Sequence, residues 1–193
     1  MGPGNSLRNR LRLPGFSLST FAARQHVGGS TLRAVKPDKR PRSTYDRALD
    51  MLETRSRGAV ELRRLLLRKG EPESEVDATI ERLTRAGLVD DAAYARQFAR
   101  SKALGAGLSR RRLQQELTKR GVARDVSSEA IAEVFDDEAI DEAAALERVA
   151  TKKLKTLAKL EPDVQRRRLY AFLARRGYDT EDISRIIEKL VTR

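Results

Sequence analysis

At 193 residues the chain could form one or two ordinary domains, and its 39% hydrophobic and 35% charged content fits narrow apolar seams between solvated helical faces. It contains no Cys, which excludes a disulfide framework and thiol chemistry and suits the reducing cytoplasm, and no apolar run approaches the roughly 20 residues that span a bilayer. The formal net charge of +12 is unevenly placed: residues 1–43 hold nine Lys/Arg against one acid, Asp38, whereas the remainder holds 31 against 27, which argues against a uniformly positive, DNA-wrapping body.

Residues 1–43 carry Gly, Pro, Ser and Arg without a sustained apolar period and read as a flexible basic arm. Arg8, Arg10, Arg12 and Pro14 interrupt the short apolar pieces between Leu7 and Phe21, which argues against a secretory signal. His26 stands alone in this arm, and the Gly28-Gly29 pair suits flexibility rather than phosphate binding.

Residues 44–88 predict a first three-helix unit. Thr44 is the expected N-cap of a helix with Ala48, Leu49 and Leu52 on one face. A second helix carries Leu62 and Leu66 and stops at Gly70. Glu71-Pro72-Glu73 opens a third, with Val76, Ile80 and Leu83 aligned.

A second unit is expected over residues 89–136. Asp90 or Asp91 caps a helix bearing Tyr94 and Phe98, and one carboxylate suffices for the cap, leaving the other to solvent or a partner. Leu104 to Gly107 interrupts that helix. Ser109 caps the next, which buries Leu113 and Leu117 and ends at Gly121; a further helix presents Val126, Ile131, Val134 and Phe135.

Residues 137–193 form the third predicted unit. A long helix from about Glu138 to Leu160 has Leu146, Ala150, Leu154 and Leu157 as its seam. Pro162 and Asp163 open a helix with Leu169, Tyr170 and Leu173 on its packing side, closed by Gly177. Thr180 or Asp179 caps the last, which carries Ile183, Ile186, Ile187 and Leu190.

These units repeat. Gly70, Gly121 and Gly177 lie 51 and 56 residues apart, and each follows two basic residues and leucines four and eight positions earlier. Without a strand pattern, the expected fold is all-α: an elongated array of three tandem three-helix repeats, each too short to stand without packing in its triplet.

The segment Gly87-Leu88-Val89-Asp90-Asp91-Ala92-Ala93-Tyr94-Ala95-Arg96-Gln97-Phe98 resembles the RecX family of bacterial RecA regulators. The likeness continues through Ala99 to Lys102 and from Gly107 to Val122, and with the repeats covers most of residues 44–193. What the resemblance implies is tandem three-helix modules that bind along a RecA nucleoprotein filament and inhibit recombinase and coprotease activity. RecA protein, chiefly as that filament, is then the expected partner, with single- or double-stranded DNA as a second.

The expected contacts with filament or phosphate are Arg110, Arg111 and Arg112, Lys119 and Arg120, Lys152, Lys153 and Lys155, Arg166, Arg167 and Arg168, and Arg175 and Arg176. Consecutive residues point around a helix, so no triplet can act as one flat comb, and a solvated basic face is the plainer reading of each. Tyr94 and Phe98, four apart, share a face and read as packing residues, as do Leu62, Leu66, Leu113, Leu117, Leu169 and Leu173. No phosphate loop, nucleophile–His–acid set or His/Cys cluster is present, so neither enzyme activity, a cofactor nor a metal is expected. A direct DNA-binding helical-repeat protein and a structural adaptor are the alternatives.

Overall fold

The computed structural model describes residues 42–191. Of the basic arm only Arg42 and Ser43 fall in that range; His26 and Gly28-Gly29 lie outside the described residues. The described residues are all-helical, with nine α-helices and no strand: α1 (Thr44–Thr54), α2 (Ala59–Arg68), α3 (Glu73–Arg85), α4 (Asp91–Ser101), α5 (Arg110–Lys119), α6 (Arg124–Asp137), α7 (Glu142–Lys155), α8 (Pro162–Arg175) and α9 (Thr180–Leu190). No described helix is long and apolar enough to cross a membrane.

Helices of this length hold their shape in water only by burying an apolar face. Here they do so in threes. Leu62 and Leu66 of α2 sit among Ala48, Met51, Val76 and Leu83; Leu113 and Leu117 of α5 among Ala95, Ala99, Ile131 and Val134; Leu169 and Leu173 of α8 among Leu146, Ala150, Ile183 and Ile187. All six leucines are fully buried, and truncating one to Ala costs about 2–5 kcal/mol at such a site. The three apolar clusters are separate, so each triplet has its own core.

Helix ends follow from local chemistry, with some departures from the sequence-based expectation. Ser43, not Thr44, caps α1: its hydroxyl accepts from the Asp46 N–H at 3.1 Å while the Asp46 carboxylate accepts from the Ser43 N–H at 3.2 Å. Thr44 is the buried first helical residue and donates to Glu71 at 2.7 Å. The expected helix from Glu138 to Leu160 is shorter at both ends. Glu138 to Ile140 close α6, with Ala139 at φ +47°, Asp141 caps α7 through the Ala143 N–H at 2.9 Å, and residues 156–160 form turns. Ala139 does in the second triplet what Gly87, at φ +69°, does in the first. Tyr170 points outward at 39% exposure rather than packing, because it lies about 100° around α8 from the Leu169–Leu173 seam.

The break expected from Leu104 to Gly107 is a π-helical turn, Lys102–Ala106, that continues α4 and ends at Gly107, φ +60°. Widening the helix here turns the Ala106 and Gly107 carbonyls toward the third triplet. Arg176 Nε donates to the first at 2.9 Å and the Tyr178 hydroxyl to the second at 3.2 Å.

Polar stitches of this kind join the triplets. α2 begins at Gly58, which has no side chain to cap it, and Asp91 supplies the missing acceptor: Ala59 N–H donates to its Oδ1 at 2.8 Å. Asp90 caps α4 itself, through the Ala93 N–H at 2.9 Å. Thus Asp91 is left neither to solvent nor to an external partner; it closes a helix in the preceding triplet. The same joint recurs one triplet later, where Arg110 N–H donates to Glu142 Oε1 at 3.1 Å. Asp91 and Glu142 are the first residues of α4 and α7, and Ala59 and Arg110 the first of α2 and α5. α8 starts instead with Pro162, which has no N–H to offer.

The repeat glycines complete these joints. Gly121 ends α5 at φ +84°, with its N–H donating to the Thr118 carbonyl at 2.9 Å and the Val122 N–H to the Leu117 carbonyl at 3.1 Å. A Cβ there would also collide with Val60 in the first turn of α2. Gly177, at φ +88°, comes as close to the start of α5: a Cβ would lie 2.6 Å from Arg112 Cβ and 2.5 Å from Ser109 Oγ. The C-terminal ends of α5 and α8 therefore meet the N-terminal ends of α2 and α5, an arrangement in which opposite ends of the helix dipoles face one another.

Candidate functional site: basic clefts at the triplet junctions

Where two triplets meet, the stitched helix ends leave a cleft. The first, of about 280 Å³, is lined by Arg55, Tyr94, Phe98, Lys102 and Arg120. The second, of about 520 Å³, runs between the π-turn, α7 and α8 and is lined by Leu104, Arg148, Val149, Lys152, Lys153, Thr156, Phe172 and Arg176. In each, the arginine just before the repeat glycine lies over an aromatic ring: Arg120 over Phe98 at 4.5 Å, Arg176 over Phe172 at 3.6 Å. A lysine approaches each ring as well, Lys102 at 5.9 Å and Lys153 at 5.3 Å.

The clefts differ in charge balance. One turn before Arg120 stands Glu116, whose carboxylate takes Arg120 at 2.8 Å, Arg112 at 2.7 Å and Lys119 at 3.8 Å. Hydrogen bonding from Arg120, followed by the nearby Arg112 charge, holds the Glu116 carboxyl below its ordinary range against the opposing effect of burial. The residue in the same place before Arg176 is Phe172. Among the described residues no carboxylate lines either cleft, and none pairs with Arg148, Lys152, Lys153 or Arg176. Burial lowers the Arg176 pKa, and the adjacent Arg175 charge adds to this while Tyr178 opposes it. The guanidinium is held in place by a carbonyl and a ring, with its charge uncompensated.

The basic residues singled out in the sequence thus separate into groups. Arg110 lies over the Phe135 ring at 4.1 Å and reaches Glu142 at 3.8 Å. Arg111 donates to the Gly177 and Tyr178 carbonyls at 3.1 and 3.3 Å and pairs with Asp179, so it joins the second and third triplets. Arg112, Lys119 and Arg120 share Glu116. Arg166 donates to the Val191 carbonyl at 2.6 Å. Lys152, Lys153 and Arg176 come together in the second cleft, while Lys155, Arg167, Arg168 and Arg175 are exposed without a carboxylate partner among the described residues. From Arg148 to Arg176 there are ten Lys/Arg against Glu161 and Asp163.

Arg148, Phe172, Lys102 and Arg55 escaped the sequence reading. Arg148 stands four residues before Lys152, a helical spacing that places the two on one face. Phe172 could have been found by aligning the repeats, since the fifth residue before each glycine is Leu65, Glu116 or Phe172. Arg55 and Lys102 follow no period and meet only through the fold. Tyr94 is buried and Phe98 partly so, with ring centroids 6.3 Å apart. Among the described residues no group of three His, Asp or Glu is placed to hold a metal ion.

Each triplet matches a different family domain: RecX, first three-helix domain, over residues 45–83; RecX, second three-helix domain, over 90–131; and RecX, third three-helix domain, over 140–187. The chain belongs to the RecX family. It is 38% identical over 144 residues to Regulatory protein RecX of Amycolatopsis mediterranei, covering 75% of this chain and 81% of that one. It is 34% identical to Regulatory protein RecX of Pelodictyon phaeoclathratiforme, with 75% and 86% covered. The fold is also that of the crystal structure of RecX from Lactobacillus salivarius, at a TM-score of 0.59, 19% identity, and 76% and 94% coverage. Against a second crystal structure, of regulatory protein RecX, the TM-score is 0.62 at 21% identity, with 74% and 70% covered.

Proposed function

We propose that this RecX-family chain is a non-enzymatic modulator of RecA that binds the RecA–DNA filament laterally and inhibits recombinase and coprotease activity. The observation that carries this reading is the combination of three separately cored triplets with an uncompensated basic surface on α7 and α8. A serial array offers several modest contacts, and once one triplet docks the others act at high effective concentration. On a polymeric target such bridging would hold neighbouring subunits and impede the exchange or conformational change that recombination needs. The exposed cations of the third triplet (Lys155, Arg167, Arg168 and Arg175) suit an acidic or phosphate-bearing face.

The test compares binding to RecA alone, to naked DNA and to RecA-coated DNA while RecA ATP turnover is recorded. Preference for the coated DNA with reduced turnover is the expected result; equal binding to all three with unchanged turnover would overturn the proposal. Binding to naked DNA comparable with that to coated DNA, lost at high salt, would favour the DNA-binding alternative. Docking without any change in turnover would favour an adaptor.

A further inference from the structure

The second junction cleft has features that filament docking by an exposed basic face does not require. It is concave, of a volume suited to a small ligand or one to two nucleotides of a strand, and its cations converge from two helices. Arg148, Lys152 and Lys153 come from α7 and Arg176 from the end of α8. Arg176 is held between the Ala106 carbonyl and the Phe172 ring, so little side-chain freedom remains to be lost when an anion arrives. The equivalent arginine of the first junction, Arg120, is answered by Glu116 from within its own helix. At the second junction that internal anion is replaced by a ring, and a cluster of four cations stands without a counterion among the described residues.

We infer that the second junction is a phosphate-binding site, with Arg176 as its fixed anchor, Arg148, Lys152 and Lys153 as the converging charges, and Leu104 and Phe172 as an apolar flank. Phosphate oxygens fit better than a single carboxylate, because a phosphoanion has more acceptor oxygens to share among four donors. The flank suits the non-ionic part of a nucleotide. Leu104 is 46% exposed at the mouth of the cleft, on the glycine-bounded π-turn. Two sources share this chemistry, the phosphodiester backbone of a DNA strand and a free nucleoside polyphosphate. The inference deepens the filament reading by assigning where phosphate is held, and rests on that reading only if the source is the strand.

The experiment uses the full chain without RecA, so its outcome is independent of filament engagement. Inorganic tripolyphosphate, ATP and a short single-stranded oligothymidylate are titrated by calorimetry at low ionic strength. Four proteins are compared: the parent chain, Phe172→Glu, Lys152→Glu/Lys153→Glu, and the charge-matched Arg64→Glu/Arg68→Glu on α2. Phe172→Glu writes into the second junction the residue found at the first and places a carboxylate one turn before Arg176.

The parent is expected to bind at least one probe, Phe172→Glu and the lysine pair about tenfold or more weakly, and the α2 control within about twofold of the parent. Circular dichroism checks that each variant keeps its helical content. If Phe172→Glu fails to fold, the lysine pair, whose positions on α7 lie outside the apolar cluster, decides the matter. Binding of tripolyphosphate and ATP identifies a nucleotide-type ligand, and binding of the oligonucleotide alone identifies a strand; either supports the site. Absence of binding to all three, or equal loss in the α2 control, would overturn it. If the site holds but the cleft variants bind RecA-coated DNA like the parent, the phosphate site stands and its role in filament contact falls.

Discussion

The Ser109 backbone N–H donates to the Arg176 carbonyl at 3.0 Å, so the cap of α5 is hydrogen-bonded to the end of α8. Two residues 67 positions apart in sequence thereby join α5 and α8 into one polar column, and Gly177 makes the approach possible. None of the three apolar clusters spans this joint, so its geometry depends on hydrogen bonds, the Arg111–Asp179 ion pair and the close approaches at Gly107 and Gly177.

Replacing Gly177 by Ala should therefore cost more than the same change at Gly70. Both have strongly positive φ, +88° and +84°, which costs Ala about 1–2 kcal/mol. A Cβ at Gly70 meets nothing within 4 Å, whereas at Gly177 it meets the Arg112 backbone and side chain. The overpacking adds about 1–3 kcal/mol. Urea unfolding followed by circular dichroism should separate the two variants, and equal losses would reject the close approach as the reason for Gly177.

Asp91→Ala should loosen a helix that Asp91 is not part of. Loss of the acceptor for Ala59 N–H costs about 0.5–2 kcal/mol, in the range of a helix cap. Hydrogen exchange at Ala59 should accelerate, while Ala93, capped by Asp90, keeps its protection. Faster exchange at Ala93 with Ala59 unchanged would reverse the assignment of the two carboxylates.

Ala139→Gly should stabilise the chain by about 0.5–1 kcal/mol, because Ala139 occupies left-handed backbone at φ +47° that glycine adopts without its steric penalty. Thermal unfolding should show a raised midpoint. An unchanged or lowered midpoint would mean that the greater freedom of glycine in the unfolded chain outweighs the relief.

Tyr178 contributes to the pH dependence on the alkaline side. Burial, with Glu142 nearby, pushes its phenol up to about 12, against the opposing charges of Arg148 and Arg176. Because the folded value lies above the unfolded value of about 10, the associated stability is fully present below pH 10 and is lost as the pH rises from there through about 12. Tyr178→Phe should remove that alkaline slope, at the expense of the hydrogen bond to the Gly107 carbonyl. Ultraviolet titration of the phenols alongside stability measurements would check it; an alkaline slope unchanged in the variant would assign the effect elsewhere.

What the sequence made legible was whatever repeats locally. The Leu–Leu–Gly spacing gave the middle helices, and burial of Leu62, Leu113 and Leu169 follows from the same spacing. Contacts that cross a junction left no such trace. Asp91 reads as an N-terminal cap of its own helix, and only the fold brings Ala59 to it, 32 residues back. Arg111 and Arg176 look like surface charges until carbonyls 66 and 70 residues away are brought against them. Ser43 and Thr44 are adjacent residues that can both cap, and local sequence does not choose between them. Tyr170 neighbours the seam in sequence without sharing its direction. The uncompensated second cleft was hidden for another reason: it depends on Phe172 standing where the second unit has Glu116, a difference visible only when the units are laid over one another.

At α8 the first helical residue is Pro162, and with it the donor that Ala59 and Arg110 give to the next block disappears. Thr44 stands at the other extremity, where Asp91 and Glu142 each contribute a carboxylate to the joint before them. Among the described residues, the joint is therefore made twice, and the outermost triplets offer neither its donor at Pro162 nor its carboxylate at Thr44. That requirement for one free donor and one carboxylate confines this coupling to the two described junctions.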